Sequence, residues 1–64
     1  MSDLERADRE RMTALARELD AMASSAEVLA ETRHRDGHTG SASWWYQRAT
    51  ELRSSAAHVR DELA

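Results

Sequence analysis

Asp36-Gly37-His38-Thr39-Gly40-Ser41-Ala42-Ser43 separates two runs of apolar residues that mirror one another. Before it stand Met12, Leu15, Leu19, Met22, Ala26 and Leu29; after it stand Trp45, Ala49, Leu52, Ala56, Val59 and Leu63. Both series step by three and four, the spacing that keeps one stripe along an α-helix. If the chain folds back at the polar stretch, Leu29 meets Trp45, Ala26 meets Ala49 and Met22 meets Leu52. Leu19 then meets Ala56, Leu15 meets Val59 and Met12 meets Leu63, and every pair lies equally far from the bend. The sequence therefore predicts an all-α fold, a two-helix antiparallel hairpin with these side chains as an a/d seam. The expected division is a helix over 3–35, a turn over 36–42 and a helix over 43–63, all within a single domain, 1–64.

Local signals set those boundaries. Ser2-Asp3-Leu4-Glu5 has the spacing of a capping box, in which the Ser2 hydroxyl accepts from the Glu5 amide and Glu5 reaches back to Ser2. No Gly or Pro interrupts 3–35, and good helix formers predominate, giving a rod of about 50 Å. Gly37 suits a left-handed C-terminal cap, and Arg33, His34 and Arg35 favour the negative end of the helix dipole. Ser41 or Ser43 offers a hydroxyl cap for the second helix. The second helix is the shorter, so Asp3 to Arg11 is expected to overhang. There Glu5–Arg9 and Asp8–Arg11 are favourable pairs along one helix.

A chain of 64 residues with two helices has a single contact line for a core, and it carries no cysteine to staple it. Self-association is the remaining route, so the hairpin is expected to dimerise into a four-helix bundle or to be completed by a helical partner. Ala16, Ala23 and Ala30 fall on one flank of the heptad, where they are expected to face Arg60, Arg53 and Tyr46 and to supply the dimer contact. On the other flank Arg11 is expected near Glu62. The acidic start, Met-Ser-Asp-Leu-Glu, lacks the basic segment and apolar run of a signal peptide, and no stretch has membrane-spanning length. A soluble, cytoplasmic protein is expected. The net charge of −3, with arginines interleaved among acids, argues against a duplex-binding stripe.

Candidate binding residues are few. Trp44, Trp45 and Tyr46 are the aromatic side chains of the chain, and on a helix consecutive residues point about 100° apart, so one seam cannot take all three. They mark a surface for a different protein or for a second copy. Leu4 and Ala7 give the overhang two small apolar points, so it is either a solvated charged end or a docking arm. His34 and His38 flank Asp36, a set that includes metal-ligand types. Gly37 breaks the helical spacing they need, and His58 lies about 30 Å along the second helix. His34-Arg35-Asp36 also spells the start of a kinase catalytic loop, a chance match in a chain this short. No nucleophile, base and orienting acid are spaced to act together, so neither an enzyme nor a cofactor is expected.

In architecture the chain resembles two groups of helical hairpins. WXG-type hairpins carry Trp-x-Gly in the bend; here Gly37 and Gly40 precede Trp44 and Trp45, and the tripeptide is absent. Plasmid Rop-like hairpins dimerise through heptad cores and bind RNA with outer-face basic residues. That likeness implies RNA or DNA binding as a second reading, through Arg48, Arg53 and Arg60, which here are diluted by Glu51, Asp61 and Glu62. The sequence favours a non-enzymatic interaction, adaptor or regulatory module. Its partners are a second copy and an unidentified larger protein, and a metal-binding loop is the third reading.

Overall fold

The computed structural model describes residues 3–64. Two helices, α1 (Asp3–Arg35) and α2 (Thr39–Leu63), pack against each other as an antiparallel hairpin with principal extents of 53 × 14 × 11 Å. The proposed Ser2 cap lies outside the described residues.

The bend is tighter than the sequence suggests. Gly37 takes φ +84°, the left-handed conformation that its missing Cβ permits, and its N–H donates to the His34 carbonyl at 3.0 Å. The His38 N–H donates to the Arg33 carbonyl at 2.8 Å. These two bonds are the paired closure of a Schellman motif, which satisfies carbonyls left orphaned at the end of α1. Helix α2 then begins at Thr39, four residues before the expected start, and His38 precedes it without a side-chain cap. The correction has a packing cause: once Thr39 to Ser41 are helical, Ala42 falls on the inner face and is buried. Turn chemistry in Gly40, Ser41 and Ser43 is overridden by that contact. Because no heavy atom lies within 4 Å of a Cβ built on either glycine, only backbone terms decide substitution. Gly37→Ala is expected to cost about 1 kcal/mol, whereas Gly40→Ala, at helical φ, is expected to stabilise by about 0.5–1 kcal/mol. Thermal melts at one fixed concentration would read both.

The inner face of α2 is the expected one, but that of α1 is rotated. On α2 the inward series is Ala42, Trp45, Ala49, Leu52, Ala56, Val59 and Leu63, all buried or half-buried. On α1 it is Met12, Ala16, Leu19, Ala23, Ala26 and Ala30. Met12, Leu19 and Ala26 are retained from the expected seam, while Leu15, Met22 and Leu29 give way to Ala16, Ala23 and Ala30. Met22 is 53% exposed and Leu15 46%, whereas Ala23 and Ala30 are at 0%. The cause is the size of the side chains. Alanines seven apart on α1 (16, 23, 30) meet a second alanine series seven apart on α2 (42, 49, 56), and small residues let two backbones approach more closely than Leu or Met allow. Among the described residues the buried set is seven alanines and Leu52.

Two further expectations are corrected by the same geometry. Ala16, Ala23 and Ala30 are consumed inside the hairpin, so they are not a free flank for a second chain. The overhang ends before Arg9, whose guanidinium donates to the Leu63 carbonyl at 2.9 Å and so satisfies an orphan acceptor at the end of α2. Arg11 pairs with Asp8, and Glu62 with His58, so the expected Arg11–Glu62 contact is replaced by pairs within each helix.

Candidate interaction surface

The rotation gives the hairpin two unlike sides. One is closed by charge. Asp20 and Glu27, a heptad apart on α1, face Arg53 and Arg60, a heptad apart on α2. Arg53 Nε donates to Glu27 at 2.8 Å, Arg60 donates to Asp20 at 2.5 Å, and Arg53 also lies 3.9 Å from Asp20. These four side chains form one ladder running beside the buried alanines. All four side chains are a third to a half exposed, so solvent screens the pairs. Arg53→Gln is expected to cost less than about 1 kcal/mol, with the loss shrinking as salt rises. Denaturant titrations at low and high ionic strength would measure it.

The other side is open. Between the helices runs a groove of about 490 Å³ whose floor includes Ala26, Leu52 and the partly covered Trp45, and whose α1 wall includes Met22 and Leu29. Leu15, Met22 and Leu29 stand in line at seven-residue intervals. Leu4, eleven residues before Leu15 and so close to three full turns away, continues that line past the end of α2. Leu4 is 71% exposed, and Ala7 beside it is half-buried. At the bend end Trp44 stands on the outer edge of α2, 58% exposed, its ring edge-on to Trp45 with centroids 4.8 Å apart. Tyr46 is exposed as well, but consecutive helical positions turn it toward the ladder side. The three aromatics thus divide: Trp45 belongs to the seam and groove floor, Trp44 to the groove's edge and Tyr46 to the opposite flank.

Of the proposed seam, Leu52 is buried and Met12, Leu19, Val59 and Leu63 are half-buried, while Met22 and Leu29 stand in the wall of the groove and Leu15, exposed, continues their line beyond it. Sequence reasoning missed the groove because it placed those three inside. The alanine series seven apart in both helices was the signal that would have found it.

The candidate nucleic-acid contacts are engaged with acids. Arg48 donates to Glu51 at 3.3 Å, while Arg53 and Arg60 belong to the ladder. His34 and His38 lie either side of the Schellman turn, both exposed. Among the described residues no three His, Cys, Asp or Glu side chains are grouped so as to hold a metal, and no helix is long and apolar enough to cross a membrane. No protein-family model, curated protein or solved structure matches the chain.

Proposed function

We propose that the chain is a non-enzymatic protein-interaction module that works as a helical-hairpin dimer, an adaptor or regulatory unit offering exposed side chains to a larger protein. The observation that carries this reading is the mismatch between core and surface. A single chain buries alanines and one leucine, yet leaves Leu4, Leu15, Met22, Leu29, Trp44 and Tyr46 exposed. Isolated apolar side chains on a surface need no explanation, but Leu15, Met22 and Leu29, aligned on one face of α1 with Met22 and Leu29 lining the groove, mark a binding face. Trp and Tyr add the side chains in which interfaces concentrate their energy.

Chemistry on a substrate finds little support in a shallow trough lined by apolar side chains, the Ser25 hydroxyl and one pair of opposite charges, with no histidine beside that hydroxyl. Nucleic-acid binding through Arg48, Arg53 and Arg60 is disfavoured because each of the three is matched by an acid. A mobility-shift series with RNA and DNA down to low salt is expected to show no complex. The deciding experiment is sedimentation velocity over a wide concentration range. A monomer–dimer equilibrium supports the module; a compact, cooperatively melting monomer at every concentration contradicts it.

A further inference from the structure

The groove side has a feature that a foreign helix does not exploit. Leu15, Met22 and Leu29 precede Ala16, Ala23 and Ala30 by one residue, so they lie about 100° round α1 from those buried positions. Trp44 stands in the same relation to Trp45 on α2. Apolar surface therefore extends from the outer shoulder of α1, across the groove floor, to Trp44 on the outer shoulder of α2, where Gln47, Arg48 and Glu51 stand beside it. It is two helices wide, whereas a lone helix seated in the trough reaches the floor and leaves both shoulders wet. We propose that the occupant is a second copy of this chain, docked groove side to groove side with the two ladder sides facing outward. The inference rests on the dimeric reading above and assigns its face.

Two observations favour a copy over a different protein. The groove is charge-balanced, since its charged lining residues are Glu18 on α1 and Arg48 on α2. On the α2 shoulder Glu51 pairs with Arg48 beside Trp44, so acids and a base alternate across this side and it meets its own image with little of the like-charge opposition that penalises wrong partners. The area is also sufficient. Along the 25 residues of α2, about 37 Å, a side 14 Å across offers roughly 500 Å² per copy, which reaches the ~1,000 Å² in total that a specific interface needs. In this arrangement Leu15, Met22, Leu29 and Trp44 become the core of a four-helix bundle, while Tyr46 and the outward ladder side stay available to another protein.

The test compares Met22→Glu, on the groove wall, with Val28→Glu, which is exposed on the far side of the same helix. Sedimentation velocity would be run on both and on the unaltered chain, with far-ultraviolet circular dichroism to follow helicity. The unaltered chain and Val28→Glu are expected to dimerise alike, and Met22→Glu to raise the dimer Kd at least about 100-fold, because each interface would bury two unpaired carboxylates. If Met22→Glu loses helicity, Met22→Ser takes its place, with an expected weakening of about tenfold from lost apolar burial. A wild-type dimer that tolerates both Met22 substitutions overturns the face while leaving the dimeric reading intact. An unaltered chain that stays monomeric removes both, and hands the groove to a foreign helix.

Discussion

Replacing Ala23 with Leu is expected to destabilise the hairpin by about 1–3 kcal/mol, the ordinary cost of forcing extra methylenes into a packed contact. For a chain of this size that lowers the melting temperature by roughly 4–8 °C for each kcal/mol. The effect follows from position: Ala23 has no exposed surface and belongs to the central cluster with Ala26, Ala49 and Leu52. A leucine there has to push α2 away along its length, which also strains the ladder joining Asp20 and Glu27 to Arg53 and Arg60. Had the heptad placed Met22 inward and Ala23 on a flank, the same change would be nearly neutral, since surface substitutions usually fall within about 0.5 kcal/mol. Chemical denaturation at a fixed, low chain concentration separates the two, because the proposed dimerisation would make stability depend on concentration.

Leu52→Ala is the second large effect, expected at about 2–4 kcal/mol. Leu52 is the one large side chain among the buried residues and forms part of the groove floor. Its loss removes apolar burial and leaves a void that two rigid helices fill poorly, and cavity formation adds to the transfer cost. In a hairpin with a single contact line no neighbouring layer exists to collapse into the space. Val28→Ala, on an exposed position of α1, serves as the control and is expected to change stability by no more than about 0.5 kcal/mol. The same denaturation curves, with slopes compared as well as midpoints, give both values.

The hairpin was legible because its two ends of evidence agree: long helical runs without breakers, and one glycine placed where a left-handed cap closes α1. Gly37 fulfils that role through backbone geometry that few other residues adopt, which is why a single letter carries so much information. The inner face of α2 was legible for a similar reason, since Trp45, Leu52, Val59 and Leu63 have few competitors for an inward position. On α1 two heptad phases compete. Met12, Leu19 and Ala26 belong to both, and hydrophobicity alone prefers Leu15, Met22 and Leu29 over Ala16, Ala23 and Ala30. What decides is the distance between backbones, a property of the pair of helices and not of either one read singly. The matching alanine series on α2 resolves it only when both are laid side by side.

The start of α2 was obscured by the opposite effect. Gly40 with Thr39, Ser41 and Ser43 has the composition of a loop, but burial of Ala42 recruits that segment into the helix. Trp44 and Tyr46 were legible as residues in excess of one seam, yet which side each would take depended on the phase of α1. Once the alanines close the seam, Trp44 takes the groove's outer edge and Tyr46 the ladder side. The oppositely charged heptad pairs Asp20/Glu27 and Arg53/Arg60 reinforce that phase from outside, holding shut the side on which the alanines lie.

The central claim, that α1 turns its alanines inward and leaves Leu15, Met22 and Leu29 exposed, can be measured through thiol reactivity, because the chain has no cysteine of its own. Single variants Ala23→Cys and Met22→Cys would be labelled with a small thiol reagent under native conditions at high dilution. A buried thiol reacts only through opening of the hairpin, so Ala23→Cys is expected to label at least about tenfold more slowly than Met22→Cys. Equal rates, or a protected Met22→Cys beside a reactive Ala23→Cys, would contradict it.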